Sequence, residues 1–277
     1  MADQDQPGTQ LSDDELQDLV ASTDTGARNP GGSVAKLLAG VALAWSIFQL
    51  WIASPLPFMV TDFIPVLNNA ETRSIHLAFA IFLAFMAYPA LKRSPRDRIP
   101  LQDWVFAIVG AAAAAYQFMF YSELSDRPGA PIEMDLWVAG FGMVALLEAT
   151  RRALGPPLMV VALVFLGYVF FGDSAVIPEA IRWKGASFSK AMGHQWLSTE
   201  GVYGIALGVS SGFVFLFVLF GSLLDKAGAG NYFIKVAFSL LGHLRGGPAK
   251  AAVLASAMTG LISGSSIANV VTTGTFT

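Results

Sequence analysis

Residues 260–277 read GLISGSSIANVVTTGTFT and hold three glycines, three serines, four threonines and one asparagine. If the chain bends there, one half-helix ends in open carbonyls and the next begins with open N–H groups. Carbonyls suit a cation, and N-terminal N–H groups suit an anion. Little else in the sequence offers chemistry. His76, His194 and His243 are far apart and lack metal-ligand spacing. There are no cysteines, which excludes disulfides and thiolate metal sites. No nucleophile–base pair, phosphate loop or GxSxG turn occurs, so the chain is not expected to be an enzyme. Glu148 precedes Arg151 and Arg152 by three and four positions, the spacing of a structural ion pair on one helix face rather than a proton relay.

The surrounding composition is that of a membrane protein. The chain is 54% hydrophobic and 13% charged, against about 25% charged in soluble domains. The acidic residues concentrate before the first apolar run, at Asp3, Asp5, Asp13, Asp14, Glu15, Asp18 and Asp24. Residues 1–33 read as a disordered acidic tail. They lack the basic start and apolar centre of a signal peptide, so the first apolar run is a retained anchor.

A spanning helix needs about 20 mostly apolar residues. Segments 34–54, 74–91, 103–122, 136–150, 156–172 and 202–224 predict six spans. The fourth and fifth are joined by RRALGPP, a tight turn at the membrane surface, because Arg151 and Arg152 are costly at mid-bilayer and Pro156 and Pro157 break a helix. Lys92, Arg93, Arg96 and Arg98 follow the second span, Arg151 and Arg152 the fourth and Lys226 the sixth, whereas 55–73 and 123–135 are acidic. This asymmetry predicts a cytoplasmic N-terminus. The 173–201 loop carries Arg182, Lys184 and Lys190 yet should lie outside.

Packing features follow from small residues. Gly204, Gly208 and Gly212 fall on one face of the sixth span and should admit a close helix neighbour, the alternative being a hinge. The pentalanine 111–115 should likewise form a thin face. Trp45, Trp51, Trp104, Trp137 and Trp183 read as interfacial anchors. Residues 232–241 are too short to cross. Ile234, Ala237, Phe238 and Leu241 share a face, so this segment should lie along the interface, with His243, Arg245 and Lys250 at headgroup level. Pro248 then opens a new helix whose apolar run, 249–262, is again too short. Two forms remain open: a re-entrant hairpin bent at SGSS, or one continuous helix over 249–271. A bend at membrane depth is tolerated where it is buried in protein or lines a wet cavity.

The stretch LGHLRGGPAKAAVLASAMTGLISGSSIANVVTTGTFT, with FVFLFVLFGSLLDKAGAGNYF before it, resembles the large membrane subunit of tripartite ATP-independent periplasmic (TRAP) transporters. EATRRALGPPLMVVALVFLGYVFFG fits the same family. The likeness is greatest to fused permeases of the TAXI subfamily and is dense from about Leu136 to Thr277. It implies a small-subunit-like region over 34–132 and a large-subunit-like region over 133–277, joined somewhere between about 123 and 155.

The implied fold is an all-α polytopic membrane protein of elevator type, with about six transmembrane helices, an interfacial amphipathic helix and a re-entrant helical hairpin. In the family this region is the first hairpin tip, near sodium and substrate sites. Carried over, the tip comprises Ser263, Gly264, Ser265 and Ser266, with Asn269, Thr272 and Thr273 on the second arm. Na⁺ could bind at Ser263, Ser265 and Asn269, whose oxygens are hard ligands.

The family's second, inverted hairpin is not found, so the chain is expected to be an N-terminal fragment that does not transport alone. The implied function is cation-coupled uptake of a small organic anion through the inner membrane. A periplasmic substrate-binding protein would deliver the anion, and Na⁺ or H⁺ would be the coupling ion. No other cofactor and no nucleic-acid partner is expected. The alternatives are a non-transporting membrane scaffold and a channel.

Overall fold

The computed structural model describes residues 27–28, 30–60, 65–91 and 93–261. Its elements are α1 Gly32–Ala53, α2 Leu56–Met59, α3 Asn69–Ala87, α4 Leu101–Met119, α5 Tyr121–Asp126, α6 Glu133–Leu154, α7 Pro156–Phe171, α8 Phe188–Gln195, α9 Ile205–Lys226, α10 Ala229–Leu241 and α11 Gly247–Gly260. Among the described residues there is no strand. Each of the six expected spans falls on one of these helices. By length and composition α1, α3 and α9 can cross a membrane, while α7 and α10 are apolar but shorter. The chain is a helical membrane protein.

Local sequence fixes the helix ends. The Asn68 side chain accepts from the N–H groups of Ala70 and Glu71 at 2.8 and 3.0 Å, and the Glu71 carboxylate accepts from the Asn68 N–H at 2.8 Å. That reciprocal cap starts α3 after the loop. Between α6 and α7, Gly155 adopts φ +85°, open to glycine at little cost, and Pro156 occupies the first turn of α7. The expected tight turn is therefore present.

Among the described residues two compact units occur, Arg28–Val214 and, from Phe215 on, the rest of α9 with α10 and α11; the division falls inside α9. In the first unit α3 and α4 pack along their length. Ile81, Phe85 and Met86 of α3 meet Ala107, Ala113 and Ala114 of α4 and Ala139, Met143 and Ala145 of α6 in one core. The pentalanine is the thin face its sequence implies, and its exposed carbonyls are used. Ala114 O accepts from Ser74 Oγ at 2.7 Å and Tyr203 Oη at 2.9 Å, and Ala113 O accepts from Trp196 Nε1 at 3.2 Å.

The segment 173–201 departs from the reading as a long outer loop. It forms α8 and inserts Trp196 fully into the core beside Tyr203. Gly142 of α6 makes this possible, since a Cβ there would overlap the Trp196 ring. Arg28 is a second departure. It falls in the stretch read as disordered tail, yet its side chain is wholly buried.

In the second unit α10 packs on α11. Ala237 meets Ala251 and Ala255, flanked by Ile234, Phe238, Leu241 and Leu254. The apolar stripe that its sequence would lay on the bilayer surface thus faces another helix, because α11 offers a strip of alanines at close range.

Candidate functional site

The chain reaches its polar segment through α11. Gly246 turns the backbone at φ +72° and Pro248 starts the helix. It runs 14 residues, a rise of about 21 Å, short of a hydrocarbon core of about 30 Å. At its end Thr259 Oγ1 donates to Ala255 O at 2.9 Å and to Ser256 O at 3.2 Å. Ser263, Gly264, Ser265, Ser266, Asn269, Thr272 and Thr273, and with them the expected Na⁺ position, lie outside the described residues. The structure therefore describes the helix that precedes the candidate tip and not the tip itself.

The described residues hold three polar constellations, all within the first unit. One joins the C-terminal ends of α3 and α6 to the N-terminal end of α4. Asp103 binds Arg28 Nη2 at 2.5 Å and Arg152 Nη1 at 2.7 Å, with all three side chains essentially buried. Arg28 also donates to the carbonyls of Phe85 and Pro95, and the Arg152 guanidinium lies 4.7 Å over the Phe85 ring. Glu148 accepts from Arg151 at 2.7 Å and from Arg152 at 2.8 Å, the structural pair that the spacing implied. Arg151 adds a bond to Ala90 O at 2.8 Å. Residues just before α1, after α3 and in the last turn of α6 are thereby tied at one end of the unit.

A second group sits at the opposite ends of α4 and α6. Asp135 accepts from Tyr116 Oη at 2.6 Å, from Arg127 Nη2 at 2.9 Å and from the Ile132 N–H at 3.0 Å. A third links α1, α3 and α9. Trp45 Nε1 donates to His76 Nδ1 at 3.1 Å, the Gln49 amide touches the same nitrogen, and His76 Nε2 lies 3.3 Å from Ser210 Oγ. Trp45 thus serves an interhelical contact rather than only an interfacial anchor.

Among the described residues no group of three His, Asp or Glu side chains could hold a metal. His194 pairs only with Glu200, at 3.3 Å on the surface. Sequence reasoning missed the Asp103, Asp135 and His76 clusters as units. The one available signal was a charged or imidazole side chain at the edge of an apolar run.

Residues 141–277 match the family model for the tripartite ATP-independent periplasmic transporter, DctM component. That family is a transporter permease, not an enzyme. The DctM-like region is just under half of the chain. It runs from within α6 through α11 and takes in the whole polar segment, so the candidate tip lies inside the region of similarity. No curated protein and no solved structure matches the chain significantly.

Proposed function

We propose that the chain is a membrane permease component of a TRAP-type uptake system. A soluble periplasmic binding protein delivers a small organic anion, and the inward gradient of a cation drives its uptake. The observation that carries this reading is the DctM match over 141–277, which includes the Ser/Gly/Thr-rich segment and the half-length helix leading to it. The tip residues Ser263, Ser265 and Asn269 hold the coupling ion, and the hairpin moves as an elevator against the remaining helices. Sodium is the ion favoured. Asp103, Asp135 and Glu148 are each ion-paired, which supports sodium over a proton carried on one of these three carboxylates. The TAXI-like small-subunit region over 34–132 supplies part of the scaffold. The N-terminus and the loop after α3 face the cytoplasm, by their lysines and arginines.

The test is uptake into proteoliposomes by the permease that contains this chain, with its binding protein outside. Accumulation should require both the binding protein and an inward Na⁺ gradient. Flux without the binding protein would indicate a channel. Correct insertion with no flux under any gradient would indicate a scaffold.

A further inference from the structure

A cavity of about 310 Å³ opens in the first unit where the end of α1, the start of α3 and the first turns of α9 approach one another. Its walls include Trp51, Phe58, Thr72, Arg73, Ser211 and Gly212. Two features of α9 make room for it. The turn Ser210–Val214 is a π-turn, one residue wider than an α-turn. At Gly212 no atom lies within 4 Å of the position a Cβ would take. Gly208, one turn earlier, is held glycine for another reason. A Cβ there would come within 2.6 Å of Arg73 Nη2 and 2.8 Å of Nε, so the guanidinium lies flat against bare backbone. Gly208, the middle glycine of the expected face, thus seats an arginine of α3.

Arg73 differs from the other arginines of this unit's helices. Arg151 and Arg152 each bind a carboxylate. Among the described residues Arg73 makes one hydrogen bond, from Nη1 to Tyr203 O at 2.8 Å, and is paired with no carboxylate. Glu71, on the same helix, has its carboxylate on the Asn68 N–H. A half-buried guanidinium at the edge of an apolar span, lining a cavity and with no described carboxylate beside it, gains from an anion that completes it. The planar fork of Arg suits a phosphate or carboxylate, and the first turn of α3 adds a favourable field.

The apolar surroundings decide the occupant. Phe58 is 69% and Met59 74% exposed beside the cavity, and α1 carries an exposed stripe of Leu43, Ile47 and Leu50 that ends next to Trp51. The cavity lies at the ends of two candidate spans, the depth at which lipid headgroups sit. The geometry points to a phospholipid site: Arg73 binds the headgroup phosphodiester, Thr72 and Ser211 flank it, and the acyl chains run along the exposed apolar faces. This site is separate from the proposed ion site and does not depend on it.

Native mass spectrometry of the full chain in detergent, supplied with phosphatidylglycerol, tests the assignment. The wild type should retain one phospholipid under activation that strips the rest. Arg73→Gln should need at least about tenfold more lipid for equal occupancy, a loss of about 1.4 kcal/mol. Gly212→Phe fills the cavity, leaves Arg73 intact and should lose the lipid too; it decides the matter if Arg73→Gln fails to fold. Arg182→Gln, on an exposed loop, should retain it. Equal retention by the wild type and both cavity variants would overturn the site. Displacement of the lipid by millimolar inorganic phosphate would overturn the lipid assignment and make Arg73 a receptor for a free anion.

Discussion

Asp103 is shared by two buried guanidinium groups, and removing its charge strands both. Asp103→Ala should destabilise the protein by about 3–5 kcal/mol, the cost of leaving buried charges unpaired. Glu148 is 26% exposed, so Glu148→Gln should cost no more than about 1 kcal/mol. Thermal unfolding in one detergent, with both variants side by side, checks the difference. Equal losses would mean that the buried pairs are relaxed by water. The two carboxylates also differ in how far sequence could reveal them. Glu148 meets Arg151 and Arg152 within one helical turn, and spacing alone exposes that. Asp103 meets Arg28 across 75 positions, a contact that no local pattern encodes. The same holds for Arg73, whose seat against Gly208 is visible only once α9 is laid beside α3.

At the scale of elements, hydropathy placed all six long helices, because helices in an apolar setting must satisfy their backbone internally. Hydropathy failed where packing is tertiary. The 173–201 segment has the polarity of a loop, yet Trp196 anchors it against Gly142. Gly142→Ala should therefore cost about 1–3 kcal/mol by overpacking, whereas Gly193→Ala, with open space around it, should change stability little. Unfolding midpoints of the two variants provide the check; a tolerated Gly142→Ala would show that the Trp196 ring can withdraw. The amphipathicity of α10 was legible, but not what it faces, since a lipid surface and the alanine strip of α11 demand the same stripe. The candidate tip rests on residue types and resemblance alone, since its residues lie outside the described part of the chain.

For the whole molecule, the Arg28–Asp103–Arg152 cluster joins the residues before α1, after α3 and at the end of α6 at one end of the first unit. These are the segments that the positive charges assign to the cytoplasm. A single cysteine at Ser94 should label only from the cytoplasmic side and one at Ser125 only from the periplasmic side; the chain has no native cysteine to interfere. Labelling of position 94 from outside would invert the topology. Deletion of residues 2–26 should leave insertion and stability unchanged, whereas a deletion that also removes Arg28 should lower the unfolding midpoint. An equal midpoint for the two deletions would deny Arg28 its anchoring role.

The central claim is that the polar segment after α11 binds the coupling ion. Its most direct test is the Na⁺ dependence of binding-protein-dependent uptake in proteoliposomes by the permease, comparing the wild type with Ser265→Ala and Asn269→Ala. Loss of one oxygen ligand should raise the Na⁺ concentration for half-maximal uptake by about tenfold, equivalent to about 1.4 kcal/mol of ion binding, with the unfolding midpoint nearly unchanged. Were these side chains only helix caps, stability would fall by about 1 kcal/mol and the Na⁺ dependence would not move. An unchanged Na⁺ dependence in both variants, at normal expression, would contradict the account.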